Sequence, residues 1–331
     1  MKRNYLSSLL RNPLLTHSAS LLLLLSVAKA QTLAPPVHLL DVVVNDADAK
    51  VFINGFPVLD MPTEGNVQQT NFFLSPFLKK GQNVIELRST PQVAAGGAVK
   101  PSWLTALRVN KRTNADSEVD LPVFELEHTE DNEQTGLNSV FALSLEGVPA
   151  YRSTVAGTGK VHRTDLTLPA GEFLIRPAVE VHDTLHVDLA VEDAALDTLP
   201  WIGAEPVLED LDRNTLRGMV AAVAAAVAER RYEDLALLFD AKYVRLATAT
   251  GRAKADIIAE ELPVLSSLAS TVGFTITPID PAQLNFGVIA GVNLVRATLG
   301  GGPPIRGGSE DIEYSLDLYF SKIAGHWVLV E

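Results

Sequence analysis

Asp240 and Tyr243 stand three residues apart, and Tyr314 follows much later in the chain. A carboxylate beside phenolic donors is the equipment of a general base working next to an electrophile, provided that apolar walls shift the pKa values. The plainer alternative is that Asp240 caps a turn while the two tyrosines anchor a core with their hydroxyls at its rim. Arg296 alternates with Val292 and Leu294. It could hold a carboxylate ligand at the mouth of a pocket, pair with a local acid, or snorkel to the edge. Trp327 joins Arg296 as a candidate ligand contact.

Other constellations point to no metal and no cofactor. His182 and His186 would stand ~13 Å apart on an uninterrupted strand, too far to share an ion. A turn at 182–184 would instead bring them together, with Glu180 and Asp188 near. The run Glu127, Glu130, Asp131, Asn132, Glu133 offers oxygen ligands of the kind calcium takes, but it lacks the spacing of a calcium loop and reads as solvated charge. The segment GGGPPIRGG (300–308) has no following Lys-Ser or Lys-Thr, so it reads as a mobile hairpin loop and not as a phosphate cradle. None of the patterns G-x-S-x-G, H-E-x-x-H or helix-opening G-x-G-x-x-G occurs, which lowers the enzyme reading without removing it.

Stepping outward to the elements that must position these groups, residues 37 to about 199 show the two-residue period of strands. LLDVVV (39–44), KVFINGFPVL (50–59), NVIELRS (83–89), VFALSLEGV (140–148), TDLTLP (164–169) and EFLIRPAVEVHDTLHVDLAVE (172–192) are the strand segments. Asn54-Gly55 is a strong hairpin signal, because both turn residues must take positive φ. Two polar stretches, 91–102 and 127–136, read as exposed loops. Strands this short and frequent predict an all-β sandwich, jelly-roll-like, over residues 37–200.

The composition changes at DTLPWIGAEP (197–206), and the boundary falls near residue 203. Leu216, Met219, Val220, Val223 and Val227 then share a helical face. Short helices at 233–239 and about 252–269 follow, and after them four strands at 273–279, 285–299, 312–321 and 326–331. Helices followed by antiparallel strands predict an α+β domain over 207–331, its curved sheet laid over three helices. A turn at Ala324-Gly325 would set Phe320 opposite Leu329 and Lys322 opposite Trp327. One face of that sheet would then be apolar and pack on the helices, while Tyr319, Val328 and Val330 lie on the other.

The order of elements after residue 207, with RRYEDLALLFDAKYV (230–244) and YSLDLYFSKIAGHWVLVE (314–331), resembles the nuclear transport factor 2-like superfamily. That is the cone-shaped fold shared with ketosteroid isomerase and polyketide cyclase relatives. The resemblance implies a scaffold and no particular activity, and it implies homodimerisation through the mixed face bearing Tyr319, Val328 and Val330. VFINGFPV (51–58) with FLKKGQNVIELRS (77–89) is similar to galactose-binding-like jelly rolls, which implies a glycan-binding or spacer role.

Compartment and partners follow from composition. Residues 1–30 carry a basic start, an apolar run at 21–27 and Ala28-Lys29-Ala30, the three parts of a secretory signal peptide. Its removal would take away four positive charges (Lys2, Arg3, Arg11, Lys29), moving the formal net charge from −13 to −17. The absence of cysteine fits a bacterial periplasmic or secreted chain held by its core alone. So acidic a chain repels phosphate backbones and anionic headgroups; neither nucleic acid nor a membrane span after leader cleavage is expected. The expectation is an exported, non-enzymatic binding or assembly protein that takes a small molecule or glycan. The alternatives are a hydrolase or isomerase working in the apolar cone, and a structural envelope protein.

Overall fold

Alternating side chains build the first half as two antiparallel sheets that share one apolar core. The computed structural model describes residues 34–62, 67–92, 103–130, 139–142, 151–157, 159–167, 182–310 and 312–331. Both the leader expected at 1–30 and the acidic residues 131–133 lie outside the described residues. The strands are β1 (Val37–Asn45), β2 (Ala47–Ile53), β3 (Phe56–Met61), β4 (Gln68–Phe73), β5 (Gly81–Pro91), β6 (Leu104–Arg112), β7 (Leu121–Glu130), β8 (Ser139–Ala142), β9 (Tyr151–Gly157), β10 (Gly159–Thr167) and β11 (His182–Val191). One sheet runs β4-β1-β6-β7-β9-β8 and the other β10-β11-β5-β2-β3. Leu40, Val42 and Val44 of β1 and Val51 and Ile53 of β2 are fully buried between them, as the period of two demands. Ser89 of β5 and Thr105 of β6, also buried, close on each other by a 2.8 Å hydrogen bond that ties the sheets together.

Asn54 and Gly55 turn the β2–β3 hairpin with φ of 49° and 79°, as the Asn-Gly pair predicts. Residues 127–130, expected in a loop, are instead strand, since β7 pairs with β9 as far as Glu130. The strand β11 is uninterrupted from His182 to Val191, which removes the turn that would have brought His182 to His186.

The second half holds four helices where three were expected: α1 (Asp210–Ala228), α2 (Tyr232–Leu238), α3 (Asp240–Thr250) and α4 (Lys254–Ala269). Leu216, Val220, Val223 and Val227 are buried on one face of α1. Phe239 alone separates α2 from α3, and Gly251 ends α3 in the left-handed conformation at φ 69°, the common helix stop. α3 was hidden because its residues Val244, Thr248 and Thr250 are poor helix formers and its buried face includes Arg245.

Seven strands follow: β12 (Thr275–Ile276), β13 (Leu284–Val288), β14 (Val295–Leu299), β15 (Ile305–Gly308), β16 (Glu313–Leu316), β17 (Leu318–Ile323) and β18 (His326–Leu329). They form two sheets, β12-β15-β16 and β13-β14-β17-β18. The expected single strand 312–321 breaks at Asp317, so β16 pairs with β15 while β17 pairs with β14. The glycine-rich stretch is partly strand and not a free loop. A Cβ on Gly307 would lie 2.3 Å from the Thr275 carbonyl, and one on Gly308 2.1 Å from that of Ile312, so these glycines serve close backbone approach. The Ala324-Gly325 turn gives the expected register, Phe320 opposite Leu329 and Lys322 opposite Trp327.

Pro35–Glu331 is one compact unit, because a third apolar cluster joins the two halves. Phe56 of the hairpin sits 4.7 Å from Trp201 and 5.0 Å from Tyr319, ring centre to ring centre. Val330 and Leu294 are buried with them, and Val328 is partly so. This corrects the expectation of a homodimer through Tyr319, Val328 and Val330. That face of the sheet is covered by the chain's own first half, since its apolar residues find cover within reach in Phe56, Leu199 and Trp201. Asn293 fastens the same joint: its amide nitrogen donates to the Trp201 carbonyl at 2.9 Å and its side chain to the Lys322 carbonyl at 2.9 Å.

Candidate ligand-binding pocket

Between the helices and β16 of the smaller sheet lies a cavity of about 330 Å³. Its walls are Val227 of α1, Leu235 of α2, Phe239, Tyr243 of α3, and Tyr314 and Leu316 of β16, with Lys242, Glu260 and Glu261 at the polar side. These residues converge because α1 and α2 turn their apolar faces inward, and because β16 (Glu313–Leu316) belongs to the smaller sheet, β12-β15-β16.

Two tyrosines help to line this apolar space. Glu261 acts on the Tyr243 phenol, and burial, reinforced by that carboxylate, pushes its pKa well above the ordinary tyrosine value. Tyr314 is buried, its pKa pushed up to about 12 by burial, and its oxygen has no hydrogen-bond partner among the described residues. An unpaired buried hydroxyl costs roughly 1–3 kcal/mol. Its ring is fixed by an edge-on contact with Phe274 at 5.8 Å.

The charges at the pocket are already engaged. Lys242 lies 3.5 Å from Glu261 and 2.9 Å from Glu331. Burial pulls its ammonium down, but the two carboxylates outweigh burial and hold its pKa above the ordinary lysine value. Glu260 pairs with Arg252. The pocket therefore presents donors and apolar walls but no free base.

The structure brings together two of the three candidate catalytic residues and separates the third. Tyr243 and Tyr314 line the cavity. Asp240 does not: it opens α3, lies 53% exposed and pairs with Lys254 at 2.6 Å. This corrects the grouping of Asp240 with the tyrosines, because the start of a helix on the surface points its carboxylate to solvent. The carboxylates at the pocket are Glu260 and Glu261; Glu261 stands four residues after the buried Ile257 on α4, and that spacing was the signal that could have found it.

Arg296 donates to Asp317 from Nε at 3.1 Å and from Nη2 at 2.7 Å, so the local acid is its partner; it faces the joint and not the cavity. Trp327 is no pocket residue either. Its Nε1 donates at 2.7 Å to Asp212, whose other donor at that oxygen is Lys322 at 2.8 Å. Together they pin the start of α1 to β18. His186 lies 3.7 Å from Glu86, and among the described residues no three His, Cys, Asp or Glu side chains gather as a metal site would require. Searches against protein-family models, curated proteins and solved structures found no match to the chain.

Proposed function

We propose that this is an exported, non-enzymatic binding protein whose cavity between helices and sheet takes a small, uncharged, mainly apolar molecule with one hydrogen-bond acceptor. The single observation that carries the reading is a largely apolar cavity lined by Tyr314, whose buried hydroxyl has no partner among the described residues. A volume near 330 Å³ lies at the small end of the ~300–1,000 Å³ typical of small-molecule sites. The phenol stays protonated at neutral pH, so it acts as a donor and suits a carbonyl or ether oxygen. Lys242 and Glu260 are committed to ion pairs, which disfavours a charged ligand. Helices under a wrapped sheet are also what a nuclear transport factor 2-like cone would provide, and its interior is the natural place for such a ligand. The first half, read as a jelly-roll-like sandwich, serves as the rigid partner against which the cone is set.

Prodan, a neutral naphthyl ketone whose emission reports both polarity and hydrogen bonding at its carbonyl, tests the reading. Saturable binding with blue-shifted emission is expected for the wild-type chain, and Leu316→Trp, which fills the cavity, should abolish it while circular dichroism stays unchanged. Failure of the wild type to bind, or equal binding by Leu316→Trp, contradicts the proposal.

A further inference from the structure

A second cavity, of about 360 Å³, opens where the two halves meet, lined by β2, β3 and Phe77 on one side and by β14, Asp317, Tyr319 and Glu331 on the other. Its chemistry differs from that of the first. Five charged side chains line it among the described residues, and each already has a partner of opposite sign. Lys50 pairs with Asp60 at 2.9 Å, Arg296 with Asp317 at 2.7 Å, and Glu331 with Lys242 at 2.9 Å and Arg245 at 2.5 Å. Phe52, half-buried, also lines it, while Phe56 and Tyr319 are buried in the joint at its floor.

A charged ligand entering here would have to compete with the inner, partly buried pairs of Arg296 and Glu331 and leave a member uncompensated, which is costly. A neutral hydroxyl meets no such penalty. It donates to a carboxylate oxygen of Asp60 or Asp317 and accepts from Lys50 or Arg296 while both pairs persist. The half-buried ring of Phe52 adds apolar area for the carbon face of a polyol ring. We propose that the cleft at the joint is a second binding site, for a neutral polyhydroxylated ligand of the size of a sugar ring. Because the walls come from both halves, the site exists only while the joint of Phe56, Trp201 and Tyr319 is formed.

The test is titration of the full chain, by calorimetry and saturation-transfer NMR, with the methyl glycosides of glucose, galactose and mannose, and with methyl glucuronide as a charged ring of the same shape. At least one neutral glycoside should bind in the millimolar range or tighter, and the glucuronide should bind more weakly. The double variant Lys50→Met/Asp60→Met keeps the net charge and removes two hydrogen-bonding groups from exposed positions. It should weaken glycoside binding about tenfold and leave prodan binding unchanged. Leu316→Trp should do the reverse, so failure at one cavity is distinguishable from failure at the other. Absence of binding by all three neutral glycosides, glucuronide binding as tight as theirs, or indifference to the double variant would overturn the proposal.

Discussion

Between the two large sheets, Leu40, Val42, Val51 and Leu107 are wholly buried, and the polar pair among them, Ser89 and Thr105, is closed by its own hydrogen bond. The core of the second half is made of similar residues, Leu216, Val220, Phe320 and Leu329. Yet it leaves a cavity lined in part by Tyr314, whose buried hydroxyl has no partner among the described residues. Packing to native density is the rule for interiors, and buried polar groups are usually paired. At Tyr314 a buried hydroxyl without a partner coincides with a largely apolar cavity, and it is this coincidence that marks a place for a ligand.

The joint holds the two halves together, and its failure should be the largest effect. Trp201 is fully buried between the halves, with the Arg245 guanidinium 4.9 Å over its ring. Trp201→Ala should cost about 3–5 kcal/mol and split thermal unfolding into two transitions; one undisturbed transition in calorimetry would show that the halves do not depend on each other. Gly55 tests the same joint from the hairpin side. At φ 79° an added Cβ would stand 2.5 Å from Val292 Cγ1, so Gly55→Ala should cost about 1–3 kcal/mol. Val292→Ala in the same chain should recover the steric part, and denaturant unfolding of the single and double variants measures it.

The first half also carries a pH dependence of its own. Burial lowers the pKa of His38 below its ordinary value of 6.5, against the pull of Asp193. As pH falls through 6.5 the unfolded chain takes up the proton first, so stability present at neutral pH is lost on acidification. The midpoint of thermal unfolding should fall below pH 6.5 well before carboxylates titrate, and His38→Gln should flatten that slope. The smallest effect is expected at the pocket. Tyr314→Phe removes an unpaired hydroxyl, so it should leave stability unchanged or raise it by up to about 1 kcal/mol.

Strands and turns were legible in the sequence where local chemistry decides them. Asn54-Gly55 and Ala324-Gly325 set their hairpins by positive φ, and the register of Phe320 with Leu329 followed. What stayed illegible was decided by distant partners. α3 was missed because Arg245 is buried, through contacts with Phe77, Trp201 and Glu331 that no local period announces. The face of Tyr319 and Val330 looked free for a second copy because nothing near it in sequence covers it, whereas Phe56 does so from far along the chain. At the pocket, Tyr243 and Tyr314 were legible as phenols among apolar residues. The surface position of Asp240 and the presence of Glu261 required knowing where each helix begins.

The account turns on the Tyr314 hydroxyl, and a prodan titration of wild type beside Tyr314→Phe tests it most directly. Affinity about tenfold weaker in the variant, with the carbonyl's hydrogen-bond signature lost from the emission and stability undiminished, is the predicted result. Equal affinity and an identical spectrum in the two chains would contradict it.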